Sequence, residues 1–155
     1  MSDATAAPGP NVTLREITKD TLYAILGLAV APEQNIFVAN NAFSIAQAHF
    51  EPKAWFRAIY ADETPVGFIM LFDDAEKPEY FLWRLMLDAR QQGKGYGRQA
   101  IARLVEYVRT RPNARELLVS YHPGDGSPRD FYLKLGFQET GQVEDDEVVL
   151  RLPLT

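Results

Sequence analysis

The stretch RQQGKGYGR, at residues 90–98, carries the most information about fold and function in this chain. Its glycines, Gly93, Gly95 and Gly97, stand at alternate positions, and glycine lets a backbone approach a ligand closely. The apolar run before it predicts a strand, and the pattern after it predicts a helix. Because a helix N-terminus offers unpaired N–H groups and the positive end of a dipole, the stretch predicts a phosphate or pyrophosphate site.

The spacing of this loop excludes two other phosphate-binding motifs. A P-loop requires Gly-x-x-x-x-Gly-Lys-Ser/Thr, but Lys94 is followed by Gly95. A dinucleotide fingerprint requires a glycine where Arg98 stands, so a nucleotide-binding module is disfavoured. A flexible turn that merely starts a helix is the other alternative, but it does not explain repeated glycines, which weaken helices and strands. Lys94 and Arg98 also add positive charge here.

Outward from the loop, the hydrophobic pattern predicts a mixed α/β sheet. Alternating and apolar runs predict strands at 11–17, 54–61, 66–72, 80–88, 116–121 and one or two after residue 140. Helical spacing predicts helices at 21–28, 41–50, 95–109 and 130–135. Short turns join the three central strands into an antiparallel meander, and the β-α-β unit around the long helix adds a parallel pair.

Two helices and one strand carry specific expectations about burial. The run 66–72 is almost wholly apolar, which predicts a central strand covered on both faces. In the long helix, Ile101, Leu104, Val105 and Val108 fall on one apolar face. In the second helix, helical spacing predicts a buried face formed by Phe43, Ala46 and Phe50.

Length and composition limit the classes of protein to which this chain can belong. The 155 residues fit one domain, at 11–155, preceded by a small-residue and proline-rich tail at 1–10 that is expected to be disordered. A net charge of −5 disfavours nucleic-acid binding, and no apolar run is long enough to cross a membrane. The absence of cysteine excludes thiolate chemistry, and two histidines are too few for a histidine-rich metal site. No signal peptide is evident, so the expected location is the cytoplasm.

Two stretches resemble one known superfamily. QGKGYG, at 92–97, is similar to the Gln/Arg-x-x-Gly-x-Gly/Ala signature with which GNAT N-acetyltransferases hold the pyrophosphate of coenzyme A. FYLKLGF, at 131–137, resembles the F-Y-x-K-L-G-F stretch of the same superfamily. The resemblance runs from about Val12 to Leu154, and within the superfamily it is greatest to small bacterial spermine/spermidine-type acetyltransferases.

This resemblance implies a GNAT-like fold of six to seven strands and about four helices. It implies acetyl-CoA as co-substrate, no metal, and a small amine as acceptor, with a polyamine as the first candidate. Many members of the superfamily are homodimers, although no stretch of this sequence demands a second copy. An amine on an amino acid, an antibiotic or a protein remains open, as does a non-catalytic acyl-CoA-binding sensor.

The resemblance also implies roles for individual residues. Tyr132 would protonate the leaving thiolate, the alternative being that it is an ordinary core aromatic. A backbone amide of the strand before the loop would stabilise the oxyanion. Asp125 stands where the family often has an asparagine, which puts a pantetheine contact from this position in doubt. The cofactor site would comprise Leu85, Met86, Leu87, Gln92, Gly93, Lys94, Gly95, Tyr96, Gly97, Arg98 and Lys134.

The base that deprotonates the amine has several candidates. Glu33 is chosen as the catalytic base by its location between the first two helices, against the alternative of a solvated loop charge. Further options are Glu79 and Glu147, together with His49 and His122, because histidine is a residue type suited to proton transfer near neutral pH.

The strand before the loop departs from the polyamine acetyltransferases. Those enzymes often carry acidic residues at the positions occupied here by Trp83 and Arg84. Because side chains alternate along a strand, at most one of the two is expected to face the acceptor. The net charge of −5, in contrast, supports a polyamine, because it favours a cationic acceptor by long-range attraction.

Overall fold

A computed structural model describes residues 9–35 and 38–154, so residues 1–8 of the predicted tail lie outside the described residues. The described chain contains a seven-stranded sheet in the order β1-β2-β3-β4-β5-β7-β6. Every neighbouring pair is antiparallel except β4 and β5, as the meander and the β-α-β unit predict. The strands are β1 (Val12–Arg15), β2 (Ala54–Ala61), β3 (Thr64–Asp74), β4 (Glu79–Leu87), β5 (Glu116–Tyr121), β6 (Gln138–Glu144) and β7 (Glu147–Pro153).

The helices cover both faces of the sheet. One apolar cluster joins the sheet to the first two helices, and a second joins it to the last two. Two short 3-10 turns, at Pro32–Gln34 and Ala89–Gln91, occupy segments for which the sequence predicts no helix. The α-helices are α1 (Leu22–Leu26), α2 (Asn41–His49), α3 (Tyr96–Arg109) and α4 (Arg129–Lys134). The mixed α/β fold is therefore confirmed.

Burial confirms two of the expectations about faces. The β3 residues from Val66 to Leu71 are all buried, because helices cover the strand on both sides. In α3, the predicted face formed by Ile101, Leu104, Val105 and Val108 is buried against the sheet. Burial of such a stripe is what stabilises a surface helix in a protein.

The predicted face of α2 is wrong. Phe43 and Phe50 are 53% and 85% exposed. The buried face instead contains Asn41 and Ser44. The reason is a contact outside the helix: the Asn41 amide donates a hydrogen bond of 2.9 Å to the Ile25 carbonyl of α1, and this orientation turns both phenylalanines outward.

Strand β4 contains a bulge in the middle of its pairing with β3. Arg84 pairs with Met70 and Leu82 pairs with Leu71, which leaves Trp83 as one extra residue. A bulge of this kind re-aims the side chains that follow it. As a result, the side chains on any one face of the sheet come from even-numbered residues before the bulge and from odd-numbered residues after it, or the reverse. On the α3 side these are Tyr80, Leu82, Leu85 and Leu87.

Candidate active site

A cleft opens where β4 and β5 separate. The two strands pair at only two positions, Phe81 with Leu118 and Leu82 with Val119. Beyond these pairs the strands diverge, and the cavity between them has a volume of about 910 Å³. That is near the upper end of the usual range for small-molecule sites. The end of β4, including Leu85, Met86 and Leu87, forms one wall of this cleft.

The glycine-rich loop closes one end of the cleft. Gly93 and Gly95 have φ angles of +78° and +83°, which non-glycine residues rarely adopt. Gly95 is the N-cap of α3, so the free N–H groups of its first turn follow directly. The structure thus brings together most of the residues predicted for the cofactor site. The cleft is lined by Gln92, Gly93, Gly95, Tyr96, Gly97, Arg98 and Lys134.

Gly97 is required for a different reason. A Cβ atom at this position would lie 3.2 Å from Cζ of Phe131 and 3.5 Å from Cδ2 of Leu87. The missing side chain therefore lets the first turn of α3 pack closely against α4 and the end of β4. Sequence reasoning assigned all three glycines to backbone flexibility and ligand approach, and it did not predict this packing.

Gln92 and Lys94 make contacts that the sequence does not predict. The Gln92 side chain donates hydrogen bonds to the Leu87 carbonyl, at 3.0 Å, and to Oε1 of Gln34, at 2.9 Å. Lys94 donates from Nζ to Oε1 of Gln91, at 3.0 Å. Lys94 is not among the described residues that line the cleft. Gln92 thus belongs both to the cleft and to the framework that holds its loop.

Asp88 is a buried carboxylate at the junction of β4 and the loop, and sequence reasoning missed it. It accepts hydrogen bonds from the Ala29 amide, at 3.0 Å, and from Nε of Arg90, at 2.8 Å. Burial alone would raise the pKa of Asp88, but the hydrogen bonds outweigh burial and hold the pKa below its ordinary value. Its one sequence signal is a carboxylate placed directly at the end of an apolar strand.

Tyr132 lies in the wall of the cleft and is only 6% exposed. Its ring packs edge-on against Phe131 and Phe137, with centroid distances of 5.3 Å to each. Within the part of the chain that the structure describes, its hydroxyl has no hydrogen-bond partner. Burial raises the pKa of Tyr132, so the phenol keeps its proton throughout the physiological range.

Trp83 and Arg84 both line the cleft and both contact the side of the sheet that α2 covers, so the prediction that at most one of them faces the cleft is wrong. The bulge breaks the alternation on which that prediction depended. The guanidinium carbon of Arg84 lies 5.7 Å from the centroid of the Trp83 ring. Arg84 also donates hydrogen bonds to Oε1 of Gln47, at 2.8 Å, and to the Trp83 carbonyl, at 3.1 Å.

Among the candidate bases, Glu147 has the best-placed carboxylate. It lines the cleft, accepts a hydrogen bond of 3.0 Å from the Ser120 hydroxyl, and lies 3.8 Å from Nε2 of His122, which also lines the cleft. Glu33 is exposed on its 3-10 turn and does not line the cleft, although Gln34 beside it does. The structure therefore does not bring Glu33 together with Tyr132.

The other candidates, Glu79 and His49, do not line the cleft. Glu79 borders a smaller cavity of about 330 Å³, and His49 is exposed on α2. Across residues 9–35 and 38–154, no cluster of acidic and histidine side chains is suited to a metal ion. Among the helices described, none has the length and apolar character needed to cross a membrane.

Comparison with known proteins agrees with this geometry. Residues 31–137 match the model of the Acetyltransferase (GNAT) family. The chain is 24% identical over 144 residues to the spermine/spermidine N(1)-acetyltransferase of Bacillus subtilis strain 168, covering 86% of this chain and 92% of that protein.

Two solved structures share the fold. The PaiA N-acetyltransferase of Thermoplasma acidophilum in complex with coenzyme A has a TM-score of 0.67 at 16% identity, over 92% of this chain and 98% of that one. The aminoglycoside acetyltransferase AAC(6')-Ib in complex with coenzyme A has a TM-score of 0.73 at 16% identity, over 92% and 94%. The family match covers more than half of the chain and includes the glycine-rich loop and Tyr132, and the chain accordingly belongs to the GNAT family of N-acetyltransferases.

Proposed function

We propose that this enzyme transfers an acetyl group from acetyl-CoA to a small primary amine by direct attack. One observation carries the proposal: the cleft between β4 and β5 joins the glycine-rich loop to Tyr132 and Glu147. Pyrophosphate binding, thiolate protonation and amine deprotonation are the steps that direct transfer requires. The cleft carries a group suited to each of them.

The loop and strand β4 would hold the co-substrate. Backbone N–H groups from Gly93 to Arg98 suit a pyrophosphate, because they are unpaired and lie at the positive end of α3. Beyond its two pairs with β5, the end of β4 at Leu85, Met86 and Leu87 does not pair with β5; the Leu87 carbonyl accepts a hydrogen bond from the Gln92 side chain, and among the described residues the other backbone groups on that side are available to a ligand. These groups suit the amides of a pantetheine arm, and one N–H would stabilise the oxyanion as it forms.

Tyr132 and Glu147 would carry out the two proton transfers of the reaction. The amine nitrogen attacks the thioester carbonyl carbon, so that a carbon–nitrogen bond forms and the carbon–sulfur bond then breaks. The Tyr132 hydroxyl donates its proton to the departing thiolate, and its raised pKa keeps that proton available. The Glu147 carboxylate takes the proton from the attacking amine, either directly or through a water molecule. We prefer Glu147 to Glu33 because only Glu147 lines the cleft.

A polyamine is the acceptor suggested by the curated relatives and by the net charge of −5. A thiol-release assay with acetyl-CoA and a panel of amines tests the proposal, the panel comprising polyamines, amino acids and aminoglycosides. We expect release that depends on the amine and on acetyl-CoA together. Absence of release with every amine, with acetyl-CoA bound in calorimetry, would overturn the proposed transfer and support the acyl-CoA-binding sensor instead.

A further inference from the structure

We propose that Arg84 binds a carboxylate of the acceptor, so that the preferred substrate is an amine that also carries a carboxylate, as an amino acid does. The inference rests on the proposed function, because it names the class of acceptor for the same cleft. It also differs from the polyamine assignment, since a polyamine carries only positive charges.

The Arg84 guanidinium lies in the cleft wall without a neutralising partner. Its Nε is buried and lacks a hydrogen-bond acceptor among the described residues. Its other nitrogens donate only to neutral oxygens, the Gln47 amide and the Trp83 carbonyl. In residues 9–35 and 38–154, no carboxylate forms an ion pair with it. A desolvated cation without a counter-ion is costly, and burial accordingly lowers the pKa of Arg84.

Glu147 is close enough to influence Arg84 but does not neutralise it. The Glu147 charge acts to raise the pKa of Arg84, yet burial dominates. The Glu147 carboxylate instead accepts a hydrogen bond from the Ser120 hydroxyl and lies 3.8 Å from Nε2 of His122. One wall of the cleft therefore presents a cation and an anion as neighbours that are not paired with each other.

This arrangement matches a zwitterion. An ammonium that approaches Glu147 would bring an attached carboxylate toward Arg84, where the two terminal guanidinium nitrogens each retain a hydrogen not donated to Gln47 or Trp83 and form a fork suited to two carboxylate oxygens. A polyamine at the same position would place a second cation near an uncompensated guanidinium, which is unfavourable. The charge pattern of the wall thus discriminates between the two classes of acceptor.

The test compares amino acids with their own carboxamides as acceptors. Each pair keeps the amine and the side chain and differs in the negative charge. The amine of the carboxamide is less basic, so without recognition of the carboxylate the carboxamide would react faster. We expect the wild-type enzyme to show kcat/KM at least about 10-fold higher for the better amino acids than for their carboxamides, since hydrogen bonds to a charged partner are stronger than those between neutral groups.

Arg84→Gln is expected to remove that preference and to leave acetyl-CoA affinity in calorimetry within about twofold. Arg57→Gln is a matched control, because Arg57 also donates to the preceding carbonyl and stacks on a tryptophan but lies outside the cleft. If Arg84→Gln does not fold, Arg84→Lys keeps the charge and loses the fork, so a partial loss of preference is expected.

Two results would overturn the inference while the proposed function stands. One is wild-type transfer to spermidine or carboxamides as fast as to amino acids. The other is a folded Arg84→Gln that keeps the wild-type preference. Absence of transfer to any amine would overturn the proposed function itself, so the two failures are distinguishable.

Discussion

The side chains of Gln34 and Gln92 exchange hydrogen bonds, at 2.9 and 3.2 Å, across the mouth of the cleft. Gln34 lies on the 3-10 turn between α1 and α2, and Gln92 opens the glycine-rich loop. Gln92 also holds the Leu87 carbonyl at the end of β4. The pair therefore connects the loop proposed to bind pyrophosphate to the segment between α1 and α2, which also lines the cleft.

Replacing Gln34 should weaken acetyl-CoA binding even though Gln34 lies outside the glycine-rich loop. Loss of hydrogen bonds between exposed neutral groups costs about 0.5–1 kcal/mol, so we expect the Kd of Gln34→Ala to rise about 2- to 5-fold in calorimetry. Gln142→Ala, at an exposed position of β6, is the control. An unchanged Kd for Gln34→Ala would show that the two segments are not coupled.

Tyr132→Phe should abolish most turnover without loss of stability. Loss of a general acid lowers kcat by about 10²- to 10⁴-fold, and the phenol has no hydrogen bond to lose among the described residues. Tyr80→Phe is expected to behave in the opposite way. The Tyr80 hydroxyl donates to the Pro112 carbonyl at 2.6 Å, away from the cleft, so this variant should lose about 1 kcal/mol of unfolding free energy and keep its kcat.

Steady-state kinetics and urea unfolding of both tyrosine variants give the comparison. If Tyr132→Phe kept the wild-type kcat, Tyr132 would be an ordinary core aromatic and not the general acid.

Glu147→Gln and Glu33→Gln separate the two candidate bases. We expect Glu147→Gln to lower kcat/KM for the acceptor about 100-fold near neutral pH, and by at least 10-fold more than Glu33→Gln does. The deficit should shrink as pH rises toward the pKa of the amine, because an amine that is already neutral needs no base. A larger deficit in Glu33→Gln than in Glu147→Gln would instead identify Glu33, on the 3-10 turn, as the base.

Gly97→Val should affect both binding and turnover. Its branched side chain would push on Phe131, and Tyr132 is the next residue, so we expect a higher KM for acetyl-CoA and a kcat/KM lower by about 10-fold or more. Gly27→Ala is the control, since Gly27 has a φ of −79° and only ordinary contacts. Wild-type acetyl-CoA affinity in Gly97→Val would show that the pyrophosphate is not held at this turn.

Asp88→Asn should destabilise the protein in a pH-dependent way. The folded-state pKa of Asp88 is lowered, so its carboxylate contributes stability above the ordinary pKa of about 4, and that contribution is lost as pH falls through the lower, folded-state pKa. We expect a loss of about 1–3 kcal/mol at pH 7 that diminishes in acid, measured by urea unfolding. Asp125→Asn, at an exposed turn, should show no such difference, and an equal loss at both pH values would contradict this account.

Local patterns were sufficient for much of the fold. The spacing of Ile101, Leu104, Val105 and Val108 predicts α3 and its buried face, because helical periodicity is a property of neighbouring residues. The glycine-rich loop is equally local, and its left-handed Gly93 and Gly95 explain why glycine is needed there.

Errors arose where distant residues decide the structure. The face that α2 buries depends on a hydrogen bond from Asn41 to Ile25, which no periodicity within α2 records. The Gln34–Gln92 contact joins residues 58 positions apart. Arg84 could not be placed from alternation alone, since the bulge at Trp83 is set by pairing between strands.

The bulge also determines how β4 would respond to a change in its length. If Trp83 were deleted, Leu82 would still pair with Leu71 and Arg84 with Met70, so the two strands would pair without interruption. Leu85 and Leu87 would keep their side of the sheet, because they would still lie opposite Ile69 and Gly67. A deletion at the bulge would therefore remove part of the cleft wall and leave the core on the α3 side in place, whereas deletion of Met86 would turn Leu87 away from that core.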